Sequence, residues 1–251
     1  MLNIVMTCAE KQNAADFLDI AGDFLASGYR ITQNEYNFDK DTDNLQNAAV
    51  YEAAAGTQNG GDSDSLAQIA AEIRECKNCS LCERRNNAVP GEGVIKPLVL
   101  VIGEGPGAEE DKHGRPFVGN AGQLLDKMLS SIDLSRNTNC FIANVVKCRP
   151  PNNRDPYPEE TSACAHFLKR QISILKPKFI LLVGNVAAQT VLKATERVGK
   201  LRGKFTEYNT GEVSIPLLVT YHPSALLHNE DYKRPAWEDL KLLRSRIDGE
   251  K

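Results

Sequence analysis

Four short, predominantly apolar runs punctuate the C-terminal three-quarters of the chain, at 98–102, 141–146, 179–183 and 217–221. They are rich in Val, Ile, Leu and Phe and show no polar alternation, which predicts strands buried on both faces. The segments near 122–132, 159–174 and 186–194 carry apolar residues at helical spacing instead. Strand alternating with helix predicts an α/β fold in which helices cover both faces of a four-stranded parallel sheet. Ligands of such sheets bind beyond the carboxyl ends of the strands. The residues falling there are Gly103-Glu-Gly-Pro-Gly, Lys147-Cys-Arg-Pro-Pro-Asn-Asn-Arg, Gly184-Asn-Val-Ala-Ala and His222-Pro-Ser-Ala-Leu-Leu. The polar constellations therefore share one rim of the sheet.

The first quarter of the chain is patterned differently. Phe17, Ile20, Ala21, Phe24 and Leu25 share one face of a short amphipathic helix. Residues 31–64 are rich in Asn, Asp, Gln, Gly and Ala with little apolar periodicity, which predicts a disordered linker. Ser65 is a good cap for the helix that follows, so the expected division is an extension, 1–64, and an ordered domain, 65–251.

Composition narrows the classes. With 25% charged and 41% hydrophobic residues in 251, and no apolar run near twenty residues, the chain is a globular protein without a membrane partner. Met1-Leu-Asn-Ile-Val-Met lacks the basic start of a secretory signal. The net charge of −3 conceals an asymmetry: residues 1–64 hold eleven acids and three bases, residues 65–251 twenty-two acids and twenty-seven bases. The mildly basic body suits a polyanionic partner.

Two stretches carry candidate chemistry. After the first strand, three glycines and Pro106 within five residues make a tight loop, followed by Glu109, Glu110 and Asp111 and then Phe117 in Gly/Pro surroundings. Such a loop can bring backbone donors, carboxylates and one held ring around a planar polar ligand. A dinucleotide site fits poorly, because the glycines are spaced Gly-x-Gly-x-Gly and some ten residues separate them from the next helix. The second stretch is Cys76-Lys-Asn-Cys79-Ser-Leu-Cys82. With Cys148 and Cys164, which have fifteen residues between them, Cys76 and Cys79 form a two-plus-two thiolate set suited to zinc or to a 4Fe–4S cluster. The wide spacing of the second pair favours the cluster. Cys82 could compete as a ligand, and Cys140 belongs to the core.

Gly103-Glu-Gly-Pro-Gly, Gly114-Arg-Pro-Phe-Val-Gly, Asn144-Val-Val-Lys-Cys-Arg-Pro-Pro, Leu201-Arg-Gly-Lys and His222-Pro-Ser-Ala-Leu-Leu together resemble the motifs of the family 4 uracil-DNA glycosylases, over about residues 65–245. The resemblance implies a three-layer α/β/α sandwich, a structural 4Fe–4S cluster on Cys76, Cys79, Cys148 and Cys164, and hydrolysis of the N-glycosidic bond of uracil in single- or double-stranded DNA. It also implies a monomer working in the cytoplasm, at the nucleoid, of a bacterium or archaeon. A catalytically inactive iron–sulfur DNA-binding or polymerase-associated module of the same fold is the alternative. By resemblance Phe117 stacks on the flipped uracil, Asn144 reads its Watson–Crick edge, His222 faces O2, and Leu226 fills the gap left in the duplex.

Chemistry agrees with these roles. Glycosidic cleavage leaves negative charge on the departing base, and a donor aimed at O2 in a dry pocket stabilises it. An amide offers both donor and acceptor, so Asn144 can complement uracil and mismatch cytosine. Stacking and an inserted apolar side chain offset the cost of flipping, and the Gly105 and Gly107 amides can approach the base. Family 1 glycosylases place an Asp where Gly105 stands, so the water-activating acid falls by resemblance to Glu104 and Glu110. Lys147, Arg149, Arg154, Lys200, Arg202 and Lys204 are the expected phosphate contacts. A cross-linking branch of the superfamily carries a basic, His-containing insertion after the second strand. Arg149-Pro-Pro-Asn-Asn-Arg-Asp-Pro has no histidine, so simple turnover without a covalent DNA adduct is expected.

Overall fold

The computed structural model describes residues 64–209, 211 and 213–250. The expected helix near 14–25 and all but the last residue of the expected linker lie outside them. The chain divides into two units, Met1–Gln68 and Ile69–Lys251; only 64–68 of the first are described. There Ser65 Oγ accepts the Gln68 N–H at 3.1 Å, the cap read from the sequence.

Six strands form one sheet: β1 (Glu92–Gly93), β2 (Val99–Gly103), β3 (Cys140–Asn144), β4 (Phe179–Val183), β5 (Phe205–Asn209) and β6 (Ser214–Thr220), in the order β1-β3-β2-β4-β6-β5. The four expected strands are the parallel centre, β3-β2-β4-β6. The sheet is wider than the four strands expected, because β1 and β5 add antiparallel edges. Neither edge has an apolar run: β1 is two residues, and β5 is exposed at most of its positions. Every residue of β2, β3 and β4 is buried, as strands covered on both faces require.

The helices are α1 (Leu66–Glu75), α2 (Ala108–His113), α3 (Asn120–Ser130), α4 (Pro158–Leu175), α5 (Asn185–Leu192), α6 (Val198–Leu201), α7 (Pro223–His228) and α8 (Lys233–Gly249). Helix α8 was not legible as a periodic segment, since its charged residues mask a buried stripe of Ala236, Leu240, Leu243 and Ile247. Right-handed crossovers assign the layers. The connection from β2 to β3 moves one way along the sheet and that from β3 to β4 moves back across β2, so α3 lies on one face and α4 on the other. Helices α7 and α8 pack with α3, completing the three-layer sandwich.

This winding also locates the crevice. The chain leaves β2 and β3 toward opposite faces, which opens a gap between their carboxyl ends. The last register pair of those strands is Gly103 opposite Asn144.

Candidate active site and thiol cavity

Gly103 lies where Asn144 and Phe117 meet. A Cβ there would lie 2.5 Å from Asn144 Oδ1 and 2.6 Å from Phe117 Cζ, so only glycine lets the amide and the ring approach each other. Asn144 is 1% exposed. Its Oδ1 is the one buried side-chain oxygen or nitrogen among the described residues without a hydrogen-bond partner. A buried acceptor left unpaired costs about 1–3 kcal/mol. An acceptor held this way is provision for a donor that arrives with a ligand.

Phe117 is buried and takes the left-handed conformation, φ +52°. For a bulky residue that conformation is costly and must be imposed by its surroundings. Arg136 supplies part of the hold: its guanidinium donates to the carbonyls of Pro116 and Phe117 at 2.9 Å each and pairs with Asp126. Helix α3 supplies more, since a Cβ on Gly122 would lie 2.0 Å from the Phe117 carbonyl. Arg136 lies between motifs and was not legible from the sequence.

His222 sits 5.6 Å from the Phe117 ring, centroid to centroid, with the planes 34° apart. Burial pushes its pKa down to about 4, against a smaller upward pull from Glu110. The imidazole is therefore neutral at physiological pH. The Ser224 N–H donates to Nδ1 at 3.2 Å, and the Ser224 hydroxyl lies 2.7 Å from the same nitrogen. A backbone N–H can only donate, so Nδ1 is the acceptor and the proton sits on Nε2. His222 thus presents a neutral N–H donor to the pocket.

The structure separates the two acids grouped by the sequence. Glu110 receives the N–H groups of Gly107 (3.1 Å), Val118 (2.8 Å) and Gly119 (2.9 Å), tying the glycine loop to the Phe117 loop. Its oxygens are committed to backbone, so it is a brace rather than a base, and the Gly107 amide is occupied by it. The Glu104 carboxyl has no hydrogen-bond or ion-pair partner among the described residues. Burial and the nearby negative charge of Asp155 push its pKa up to about 7. Gly105, partly exposed, lies beside Val146 and Pro150.

Four other expectations change with burial or with pairing. Leu226 is 0% exposed in α7 and cannot enter a duplex from there, whereas Leu227 beside it is partly exposed. Arg202 forks onto the buried Asp239, at 2.8 and 2.7 Å, and also donates to the Pro235 carbonyl. Arg154 forks onto Glu160 and lies over the Tyr157 ring. Lys147, 1% exposed, donates to the Asn144 carbonyl at 2.9 Å and to Gln171 Oε1 at 2.7 Å. These three cations hold the protein together, so they are not free for phosphate. Arg149, half-buried and bonded to Asn153, and the exposed Lys200 and Lys204 are placed where phosphate could reach them.

On the other side of the residue 147–149 turn, Cys76, Cys79, Cys82, Cys148 and Cys164 line one cavity with Arg85 and Lys147. Among the described residues no three His, Cys, Asp or Glu side chains converge tightly enough for a single metal ion. Burial raises the thiol pKa of Cys79 and Cys148, and that of Cys164 to about 11. Arg85 donates to Cys148 Sγ at 3.0 Å, a cation set where thiolate charge would appear on ligation. Cys140 is buried in β3, outside this set.

Residues 90–241 match the model of the uracil DNA glycosylase superfamily. The chain is 44% identical to the type-4 uracil-DNA glycosylase of Sulfurisphaera tokodaii over 185 residues, 72% of this chain and 84% of that protein. It is 43% identical to the type-4 enzyme of Saccharolobus solfataricus over 73% of this chain and 87% of that one. For the type-4 enzyme of Thermotoga maritima the figures are 42%, 73% and 96%. The chain therefore belongs to the uracil-DNA glycosylase superfamily, among its type-4 members.

Proposed function

We propose that this protein hydrolyses the N-glycosidic bond of uracil in DNA, the first step of base excision repair, with residues 65–251 as the glycosylase domain behind an extension, 1–64. The observation that carries the reading is the unpaired Oδ1 of Asn144, buried beside Phe117 and His222. Uracil presents N3–H to that oxygen and O4 to the amide nitrogen. Cytosine presents a lone pair at N3, which leaves Oδ1 unpaired and repelled. A buried polar group denied its partner is a strong discriminator.

In the reaction, Phe117 takes the flipped base on its face, and its imposed backbone conformation keeps the ring from following the base out. As the glycosidic bond lengthens, negative charge gathers on O2. The neutral Nε2–H of His222 stabilises it, fixed in that tautomer by the Ser224 amide. With its pKa near 7, Glu104 is ionised in part at neutral pH and receives a proton from the water that attacks C1′. Leu227, rather than Leu226, takes the place the base leaves, and Arg149, Lys200 and Lys204 meet phosphates. No histidine stands in the turn after β3, so the sugar is released by water and no protein–DNA bond persists.

The cavity fits a 4Fe–4S cluster held by Cys76, Cys79, Cys148 and Cys164, by donor type and by the cations beside it. When bound, the group would cross-link the α1 turn, the β3 loop and α4, a structural chemistry with no part in the bond-breaking steps. No described helix is long and apolar enough to cross a membrane.

The test is a labelled oligonucleotide with one uracil, incubated with the protein and treated with hot alkali. Cleavage at uracil, absent with thymine, far slower with cytosine in its place and strongly reduced in Asn144→Ala, is the expected result. Retained DNA binding without cleavage by the wild type would establish the inactive-module alternative.

A further inference from the structure

The residue that faces both the pocket and the thiol cavity is Lys147. It was expected at the surface as a phosphate contact, yet it is among the most buried side chains of the described residues. Its Nζ donates to the carbonyl of Asn144, three residues back, and to Gln171 Oε1 on α4. Gln171 in turn donates to the Pro90 carbonyl at 2.8 Å, and the Lys147 carbonyl accepts the Val89 N–H at 2.8 Å. Lys147 therefore clamps the end of β3 to α4 and to the segment entering β1. Its stem lines the cavity of the five thiols.

The position of that clamp matters more than its strength. The backbone of Asn144 leaves the β-ladder at its register partner Gly103, so the sheet holds it on one side only. Beyond it, Val145 and Val146 hydrogen-bond back to Gly103 and Glu104. The Asn144 carbonyl is held from the far side by the Lys147 ammonium. Two flanking residues and a buried donor thus fix the peptide from which the Asn144 amide projects. That amide cannot be steered by its own hydrogen bond, since Oδ1 has none.

We infer that Lys147, backed by Gln171, is a positioning residue for base recognition: by holding the Asn144 carbonyl it aims the Asn144 amide, and so sets the preference for uracil over cytosine. The inference deepens the glycosylase reading and rests on it. Lys147 touches neither base nor water, and its effect passes through Asn144.

A merely structural lysine and a positioning lysine differ in what they couple to. The experiment is a double-mutant cycle of Lys147→Met and Asn144→Ala in the full chain. Its readouts are single-turnover release of uracil and of cytosine, thermal unfolding, and visible absorbance of the cavity group. Methionine keeps the apolar stem and removes the donor. Lys147→Met is expected to lower the uracil rate roughly 10–100-fold, the scale of a displaced catalytic contact, and to narrow the uracil-to-cytosine ratio. Combined with Asn144→Ala it should cost nothing further. Gln171→Met, which removes the second acceptor of Nζ and leaves Lys147 in place, should shift the same ratio in the same direction by less. It also decides the matter if Lys147→Met does not fold. Additive rates in the cycle overturn the inference, as does a fall in melting temperature and absorbance with an unchanged uracil-to-cytosine ratio in whichever variant folds. If the wild type releases no uracil, the glycosylase reading itself has failed, which is a distinguishable result.

Discussion

The pocket at the ends of β2 and β3 and the basic surface beside it obey opposite rules. In the pocket, groups with strong hydrogen-bonding capacity are left without partners. Asn144 Oδ1 has none, the Glu104 carboxyl has none among the described residues, and His222 keeps one nitrogen free by committing the other to Ser224. Of the six cations expected to meet phosphate, three are already spent: Arg202 on Asp239, Arg154 on Glu160, and the buried Lys147 on Asn144 and Gln171. Positive charge was therefore a poor guide to function here and an unpaired polar group a good one. Pairing is what a protein does with its polar groups by default; the exceptions mark where a ligand completes the structure.

The sharpest way to break this contrast is to delete one residue of each kind. His222→Ala removes a donor that acts only as charge develops, so kcat should fall about 10²–10³-fold with stability little changed. Arg202→Ala should do the reverse. It leaves Asp239, 0% exposed, without its cation, and loss of one member of a buried pair costs about 3–5 kcal/mol. Melting and single-turnover rates measured on both variants settle the matter, and a slow but stable Arg202→Ala would undo the division.

Glu104 extends the contrast to pH. A base with pKa about 7 gives a rate that rises through pH 7 and then levels. Glu104→Gln should flatten that profile and cost about 10²-fold at pH 8, the low end for a general base. Stability should move the other way. The folded pKa is raised above the unfolded value, so the favourable contribution is complete below about pH 4.5 and is lost as pH rises through 7. The Gln variant should therefore melt higher than wild type at pH 8 and alike at pH 4. His222 adds no limb near neutrality, since its pKa is pushed down to about 4. A profile that keeps its rise in Glu104→Gln would remove this residue from the mechanism.

What the sequence showed follows the same line. Continuous apolar runs revealed the parallel centre, because burial on both faces leaves only apolar residues there. The edge strands β1 and β5 carry no such constraint and were missed. Phe117, Asn144 and His222 were legible from motifs on the rim, and the five thiols from their spacing. Arg136 was not, nor were the packing roles of Gly103 and Gly122, because the contacts that hold Phe117 and Asn144 are made only when distant segments meet. Glu104 and Glu110 were indistinguishable as letters; three backbone N–H groups separate them. Leu226 and Leu227 were misordered for a related reason, since a helix of six residues is too short for periodicity to show which leucine turns inward.

That pair offers a smaller test. Leu226→Ala should lower melting, by the roughly 2–5 kcal/mol of a Leu-to-Ala change in a core. Leu227→Ala should leave melting unchanged and slow release of uracil from duplex DNA by a few-fold. It should not affect single strands, where no gap needs filling. Equal effects on both substrates would mean that Leu227 serves only to complete the surface.

The smallest effect expected is also the most direct probe of which cations touch DNA. Phosphate contacts release counterions, so each adds about 0.9 to the slope of log affinity against log salt on duplex DNA and about 0.7 on single strands. Lys200 and Lys204 are exposed on either side of Arg202, within four residues of chain. If charge near the DNA were all that mattered, alanine at any of the three would lower the slope alike. If pairing decides, Lys200→Ala and Lys204→Ala each lower it by roughly that amount, while Arg202→Gln, which loses both the charge and the fork onto Asp239, leaves it unchanged and lowers the melting temperature instead. A slope that falls in Arg202→Gln but not in the two lysine variants would place Arg202 on the DNA and Asp239 as its orienting partner. The rule that paired cations are structural would then fail at the one position where a family motif, Leu201-Arg-Gly-Lys, runs against it.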